Sequence, residues 1–378
     1  MQLFSYQKAT EVIDSLENIA LKLTREEKFH VNLAKGKLLW EQGSWEEATA
    51  VANDLCDDAP QMQQNISLRQ GTALNCLALC RLAAIRLKDA DMVQFNKEQA
   101  LVQQPVASQL REAEDVQDLL KMASKILFKG YTDGKEGEGS PENKSNHCRL
   151  GLYCAASYCN QGVAELTTTL VKSMCTNRPV PIESAMNAWR NALNVINELE
   201  RDGLNLSAEE KIFFKSTKAR IYCNMAWAIL FTSSYIDVTT DKGSKSAAVK
   251  EDSLKLASEY AGLALSINDD IGNADESLGR ILCLVATCYA RAGSAVTAEG
   301  LLKSAIDVLK ASPNPLKTID ARSACVYYSK LCKNWEKREA DAIAYEELAL
   351  EMNDTLIEPW MGASSLYSGL HMFGCNDP

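Results

Sequence analysis

An all-α fold is predicted for this chain by three observations. Apolar residues recur at helical spacing from the start, as in Val12, Ile13, Leu16, Ile19, Ala20 and Leu23. Proline is scarce, at 9 of 378 residues, and no period-two strand alternation recurs. Residues 28–60 read as a helical hairpin of about 34 residues, a unit that cannot bury its own apolar face and so implies stacked neighbours.

Each element follows from local signals. The first helix covers residues 6–23, and Thr24 with Glu27 forms a capping box that opens a second helix over 24–41. Gly43 marks the turn, Ser44 with Glu47 repeats the box, and a third helix covers 45–56 before Pro60. A long helix over 61–87 and a shorter one over 89–102 follow, with a break near Lys88. Pro105 breaks the chain again before a helix over 110–128. Residues 130–146 are rich in Gly, Ser and charge, which predicts a long polar loop. Ser140, followed by Pro141, makes it a candidate phosphorylation site; a solvated linker is the simpler reading.

Helices are expected over 148–160, 163–175 and 182–199, with a joint at Pro179 and Pro181. Ser207 with Glu210 caps a helix reaching about Thr232, and a second polar insert spans 237–250. The next helix ends near Ile267. A second hairpin covers 279–310, with Gly293 at its turn, a weaker third covers 323–353, and a last helix spans 360–373. The organisation is thus one continuous array. N-terminal repeats occupy 1–129, a polar loop 130–147, central helix pairs 148–236, a polar insert 237–250 and C-terminal repeats 251–373.

The hairpin signature resembles the tetratricopeptide repeat. The first unit matches at Asn32, Lys35, Gly36, Leu39, Gly43, Ala48, Ala52, Leu55 and Pro60; the second at Leu282, Val285, Ala286, Tyr289, Gly293, Ala298, Leu302 and Ala305. The third keeps little beyond Ala342 and Ala349. The resemblance implies a right-handed superhelix whose first helices line a concave groove for a peptide or a partner's helix. Spacing then places Leu33, Lys37, Trp40 and Glu41 on the groove in the first unit. It adds Arg280, Cys283, Thr287 and Arg291 in the second, and Tyr327, Leu331, Asn334 and Trp335 in the third. Lys37, Trp40, Arg280, Thr287, Arg291, Asn334 and Trp335 are the candidate partner contacts. The two arginines suit an acidic or extended peptide, because a guanidinium pairs bidentately with carboxylates. The Lys-x-x-Gly-Asn pattern of chaperone-tail-binding relatives is absent from the first unit, which disfavours such tails as ligands.

Composition narrows the function class. A formal charge of −10 and the lack of a Lys/Arg-rich run make nucleic acid an unfavoured partner, so an RNA-binding helical repeat is the weakest reading. No apolar run reaches the roughly 20 residues a membrane helix needs. Thirteen cysteines without a Cys-x-x-Cys pair, and three histidines, read as small buried thiols in a reducing compartment, the cytosol or nucleus, and not as a zinc site. No phosphate-binding glycine loop, nucleophile elbow or His-Glu-x-x-His motif occurs, so neither catalysis nor a cofactor is expected. The expected role is an adaptor or scaffold binding a partner through the groove; a structural subunit of a larger complex is the alternative.

Overall fold

The computed structural model describes residues 8, 10–13, 15, 22–42, 44–61, 66–96, 104–135, 141–176, 181–202, 206–239, 244–271, 278–310, 315–335 and 337–351. Twelve α-helices have both ends among these residues. They are α1 (Arg25–Gln42), α2 (Trp45–Asp58), α3 (Ile66–Asn96), α4 (Gln104–Lys135), α5 (Pro141–Thr176) and α6 (Glu183–Arg201). Then come α7 (Ala208–Thr239), α8 (Ser244–Asp270), α9 (Leu278–Arg291), α10 (Ala295–Lys310), α11 (Pro315–Lys333) and α12 (Glu339–Glu351).

Capping chemistry sets several of these ends. At α1, Glu27 Oε2 accepts from the Thr24 backbone N–H at 2.7 Å, while Thr24 Oγ1 accepts from the Glu27 N–H at 3.3 Å. The same reciprocal pair closes α7, with Ser207 N–H donating to Glu210 at 2.8 Å and Glu210 N–H to Ser207 Oγ at 3.1 Å. The box expected at Ser44 and Glu47 does not form. Ser44 makes no side-chain cap bond, and its N–H instead donates to the Leu39 carbonyl at 2.9 Å, tying it to the end of α1. At the α9–α10 turn, Gly293 has φ +83°, Gly293 N–H donates to Ala290 O and Ser294 N–H to Tyr289 O. That is a Schellman closure, whose left-handed residue is best supplied by glycine.

Every helix packs on the next in sequence. The further helix–helix contacts are smaller, and the larger of them join odd-numbered helices: α1 with α3, α3 with α5, α5 with α7, α7 with α9 and α9 with α11. The odd helices therefore lie side by side as one layer, and each even helix packs across them, the arrangement of stacked hairpins. The hairpin expected over 279–310 appears as α9 and α10, whereas the first helix of the third hairpin starts at Pro315, eight residues before the expected 323, because a proline is accommodated in a first helical turn. Residues 360–373, expected as a last helix, lie outside the described residues.

The structure corrects the middle of the chain. α3 runs through Lys88 without a break. α4 begins before Pro105, which sits in the first helical turn, where a missing N–H leaves no hydrogen bond unmade. The expected polar loop is largely helical: α4 continues to Lys135, and α5 starts at Pro141. Its one large ring explains why. Tyr131 is fully buried, stacks on His147 with ring centroids 4.6 Å apart, and donates to Glu198 at 3.2 Å. The two helices expected on either side of residues 161–162 are one, because Gly162 lets α5 lie flat against the buried Trp189 indole. The second insert is also mostly helical, with α7 reaching Thr239 and α8 starting at Ser244.

Candidate interaction surface

The seven sequence-predicted contact residues fall into two groups at separate places in the array. Lys37 and Trp40 lie on α1; Arg280, Thr287 and Arg291 lie on α9; Asn334 and Trp335 follow α11. α2 to α8 intervene between the first group and the rest, so no single site gathers them.

Three of the seven are interior. Trp40, at 8% exposure, packs edge-on against Trp45 with centroids 5.7 Å apart. Thr287 is buried and its hydroxyl donates to the Cys283 carbonyl at 2.8 Å. Arg280 is 2% exposed and donates through Nη2 to Asn224 Oδ1. From Gly279 to Cys288, every residue of α9 except Leu282 is buried, because α7, α8, α10 and α11 all pack on it. An amphipathic pattern alone cannot foresee that neighbours cover most of a helix.

The other four keep accessible surface. Lys37 is half-buried, and Asn334 is exposed. Arg291 stays exposed in part, yet its Nη1 donates to the Leu230 carbonyl at 2.9 Å, and desolvation there draws its pKa below the usual arginine value. Trp335 is half-buried with the Arg338 guanidinium 5.5 Å from its ring centroid, within cation–π range. Leu331 and Tyr327 are half-buried beside them, and Tyr327 packs on Trp227 with centroids 5.9 Å apart.

Arg338 also belongs to a polar network that pins α12 to α10 and α11. Its Nη2 lies 2.7 Å from Glu299, which accepts from Tyr328 at 2.8 Å and pairs with Lys303 at 2.9 Å. The Arg338 and Lys303 hydrogen bonds pull the Glu299 carboxyl down to about 2, against the opposing effect of burial.

A second feature went unread in the sequence. Asn75, Asn160 and Asn224, from α3, α5 and α7, are fully buried in the odd layer. Asn160 Nδ2 donates to Asn75 Oδ1 at 3.0 Å, Asn224 Nδ2 donates to Cys159 Sγ at 3.5 Å, and Arg280 from α9 donates to Asn224. The available signal was an asparagine beside a cysteine within an apolar stretch, at 75–76, 159–160 and 223–224. The described cysteines follow the same layer: all lie in odd helices except Cys56 in α2. Burial pushes several of these thiols up, to about 12 at Cys80 and Cys148 and about 11 at Cys325. At Cys159 burial again raises the pKa, to about 12, with Arg220 and Arg280 acting in the opposite direction.

The large apolar side chains that remain exposed favour the even helices. Met122 and Phe128 are on α4, Leu256 and Leu263 on α8, Val296 and Val308 on α10, and Ile343 and Leu350 on α12. Among the described residues, no helix is long and apolar enough to cross a membrane.

The fold therefore defines an all-helical array of consecutively packed hairpins, compatible with a helical-repeat solenoid. No protein-family model matches the sequence, and no curated protein is detectably similar to it.

Proposed function

We propose that this chain is a protein-interaction scaffold of the tetratricopeptide-repeat type, a right-handed solenoid that holds a partner's peptide or helix along its odd-helix layer. The observation that supports it best is the side-by-side contact of successive odd helices from α1 to α11. Stacked hairpins with one continuous helix layer present a long surface from few residues, the geometry extended ligands require. Within that layer the accessible contacts are Lys37, Arg291, Asn334 and Trp335; Trp40, Arg280 and Thr287 act through packing. A cytosolic or nuclear setting fits the many reduced thiols.

A second reading has its own support. The exposed apolar side chains on α4, α8, α10 and α12 suit a subunit held through its even layer in a larger assembly. Tagged chain would be recovered from its native cell in three forms: unmodified, Arg291→Glu with Trp335→Ala, and Leu256→Glu with Leu263→Glu. Loss of at least tenfold of a stoichiometric partner in the second form alone supports the groove. Loss in the third alone supports the subunit reading. A partner retained equally by all three refutes both placements.

A further inference from the structure

We propose that this chain binds a second copy of itself head to tail, the basic face of α4 in one copy packing on the acidic face of α12 in the next; this rests on the even-layer reading above and names its occupant. On α4, Lys121, Met122, Lys125, Phe128 and Lys129 are all exposed. At 3.6 residues per turn they share about a third of the helix circumference. No acid stands between Asp118 and Asp133, and Asp118 lies at the edge of the face, 3.8 Å from Lys121. On α12, Glu339, Ala340, Ile343, Glu347, Leu350 and Glu351 are all exposed and share a similar arc. α12 carries no lysine or arginine. Its other acids are committed within the chain, Asp341 to Arg338 and Glu346 to Lys333.

Each face therefore joins large apolar side chains to charges of a single sign. Met122 and Ile343 are each 53% exposed, Phe128 41% and Leu350 39%, so these side chains remain in water in the folded chain. Burying them in a helix-on-helix contact is favourable, and lysine–glutamate pairs along its rim fix which faces meet. The other even helices match α4 less well. α2 exposes acids at Glu47, Asp54 and Asp57, but none of its large apolar side chains. α8 sets Lys255 among Glu251, Asp252 and Glu259, and α10 sets Lys303 and Lys310 beside Asp307. Within one chain α4 and α12 are kept apart by α5 to α11, packed in sequence between them. A contact between unlike faces leaves an α4 face open at one end of the pair and an α12 face at the other. Association then continues by adding copies unless the rotation closes a ring.

Sedimentation velocity of the purified full chain, over about 5–200 μM, covers the range of small, weak interfaces. Wild type is expected to rise in average mass with concentration. The α4 reversal (Lys121→Glu, Lys125→Glu, Lys129→Glu) and the α12 reversal (Glu339→Lys, Glu347→Lys, Glu351→Lys) each stay monomeric alone. Mixed in equal amounts they associate again, because every α4 then meets an α12 of opposite charge. A chain carrying both reversals associates by itself. Misfolding cannot produce that rescue. The α12 reversal also brings the net charge of −10 closer to zero, so overall repulsion does not account for its loss of association. Glu47→Lys with Asp54→Lys and Asp57→Lys, on α2, keeps wild-type association. The proposal is overturned if wild type is monomeric throughout, if either reversal alone associates like wild type, or if mixing the two restores nothing. It is equally overturned if reversed chain recovered from its native cell loses a different protein instead of a second copy, an outcome that leaves the even-layer reading standing.

Discussion

Gly162→Ala tests the sharpest difference between the pattern of the sequence and the folded chain. A Cβ at residue 162 would stand 2.3 Å from Trp189 Nε1, 2.6 Å from Cε2 and 2.7 Å from Cδ1. Ordinary contact starts at 3.4 Å, so the indole must retreat by about 1 Å. It has little freedom to do so: Trp189 is fully buried, and its Nε1 donates to the Cys159 carbonyl at 3.0 Å. Overpacking of this kind costs about 1–3 kcal/mol. Losing the indole bond adds about 1 kcal/mol, and replacing glycine by alanine inside a helix returns about 1 kcal/mol. The net expectation is destabilisation by about 1–3 kcal/mol. Urea unfolding followed by far-UV circular dichroism reads this as a lower midpoint at unchanged slope. In a Trp189→Phe background the cost of Gly162→Ala is expected to shrink, which shows the coupling directly. If Gly162→Ala is as stable as wild type or more so, α5 does not lie continuous against Trp189, and the helix break that the sequence suggests at 161–162 is real.

Three other outcomes follow from named contacts. Tyr131→Ala should destabilise by about 3–5 kcal/mol as a buried aromatic truncation, and trypsin should cut after Lys129 in that variant far faster than in wild type, where α4 is intact. The Glu299 carboxyl titrates lower in the folded chain than in the unfolded one, so its contribution is complete above the ordinary carboxylate range and fades as pH falls toward 2. Glu299→Gln should therefore lower stability by about 1 kcal/mol at pH 7, a solvent-screened value, and the gap should close in melts near pH 2. The buried thiols should resist an aromatic disulfide reagent at pH 8 and react together in denaturant, with half-buried Cys56, pushed to about 11, the first exception among the described cysteines; mass mapping that finds Cys80, Cys154 and Cys159 labelled rapidly in the native chain would contradict their burial.

Local chemistry was legible where it is local. Thr24 with Glu27 and Ser207 with Glu210 closed as their spacing predicts, because a capping box needs only residues three apart and a free N-terminal turn. The hairpin at Gly293 was equally readable, since a left-handed turn between two apolar stripes admits few residues. Ser44 carried the same signature and failed, because the short turn after α1 had already committed its N–H to Leu39.

The sequence by itself determined that the chain is helical, that hairpins pair in order, and that its cysteines and tryptophans would mostly be interior; propensity, spacing and capping act over a few residues and need no distant partner. Only the tertiary structure decided that residues 130–135 and 141–147 are helix instead of loop, through Tyr131, His147 and Glu198. It alone decided that α5 is unbroken at Gly162, and that Arg280 and Thr287 face packing neighbours. A polar segment and an apolar one can each extend a helix when a buried ring anchors it, and a polar residue on a helix face is covered or open according to what packs above it. Those outcomes depend on contacts between residues dozens of positions apart, which periodicity within one segment does not encode.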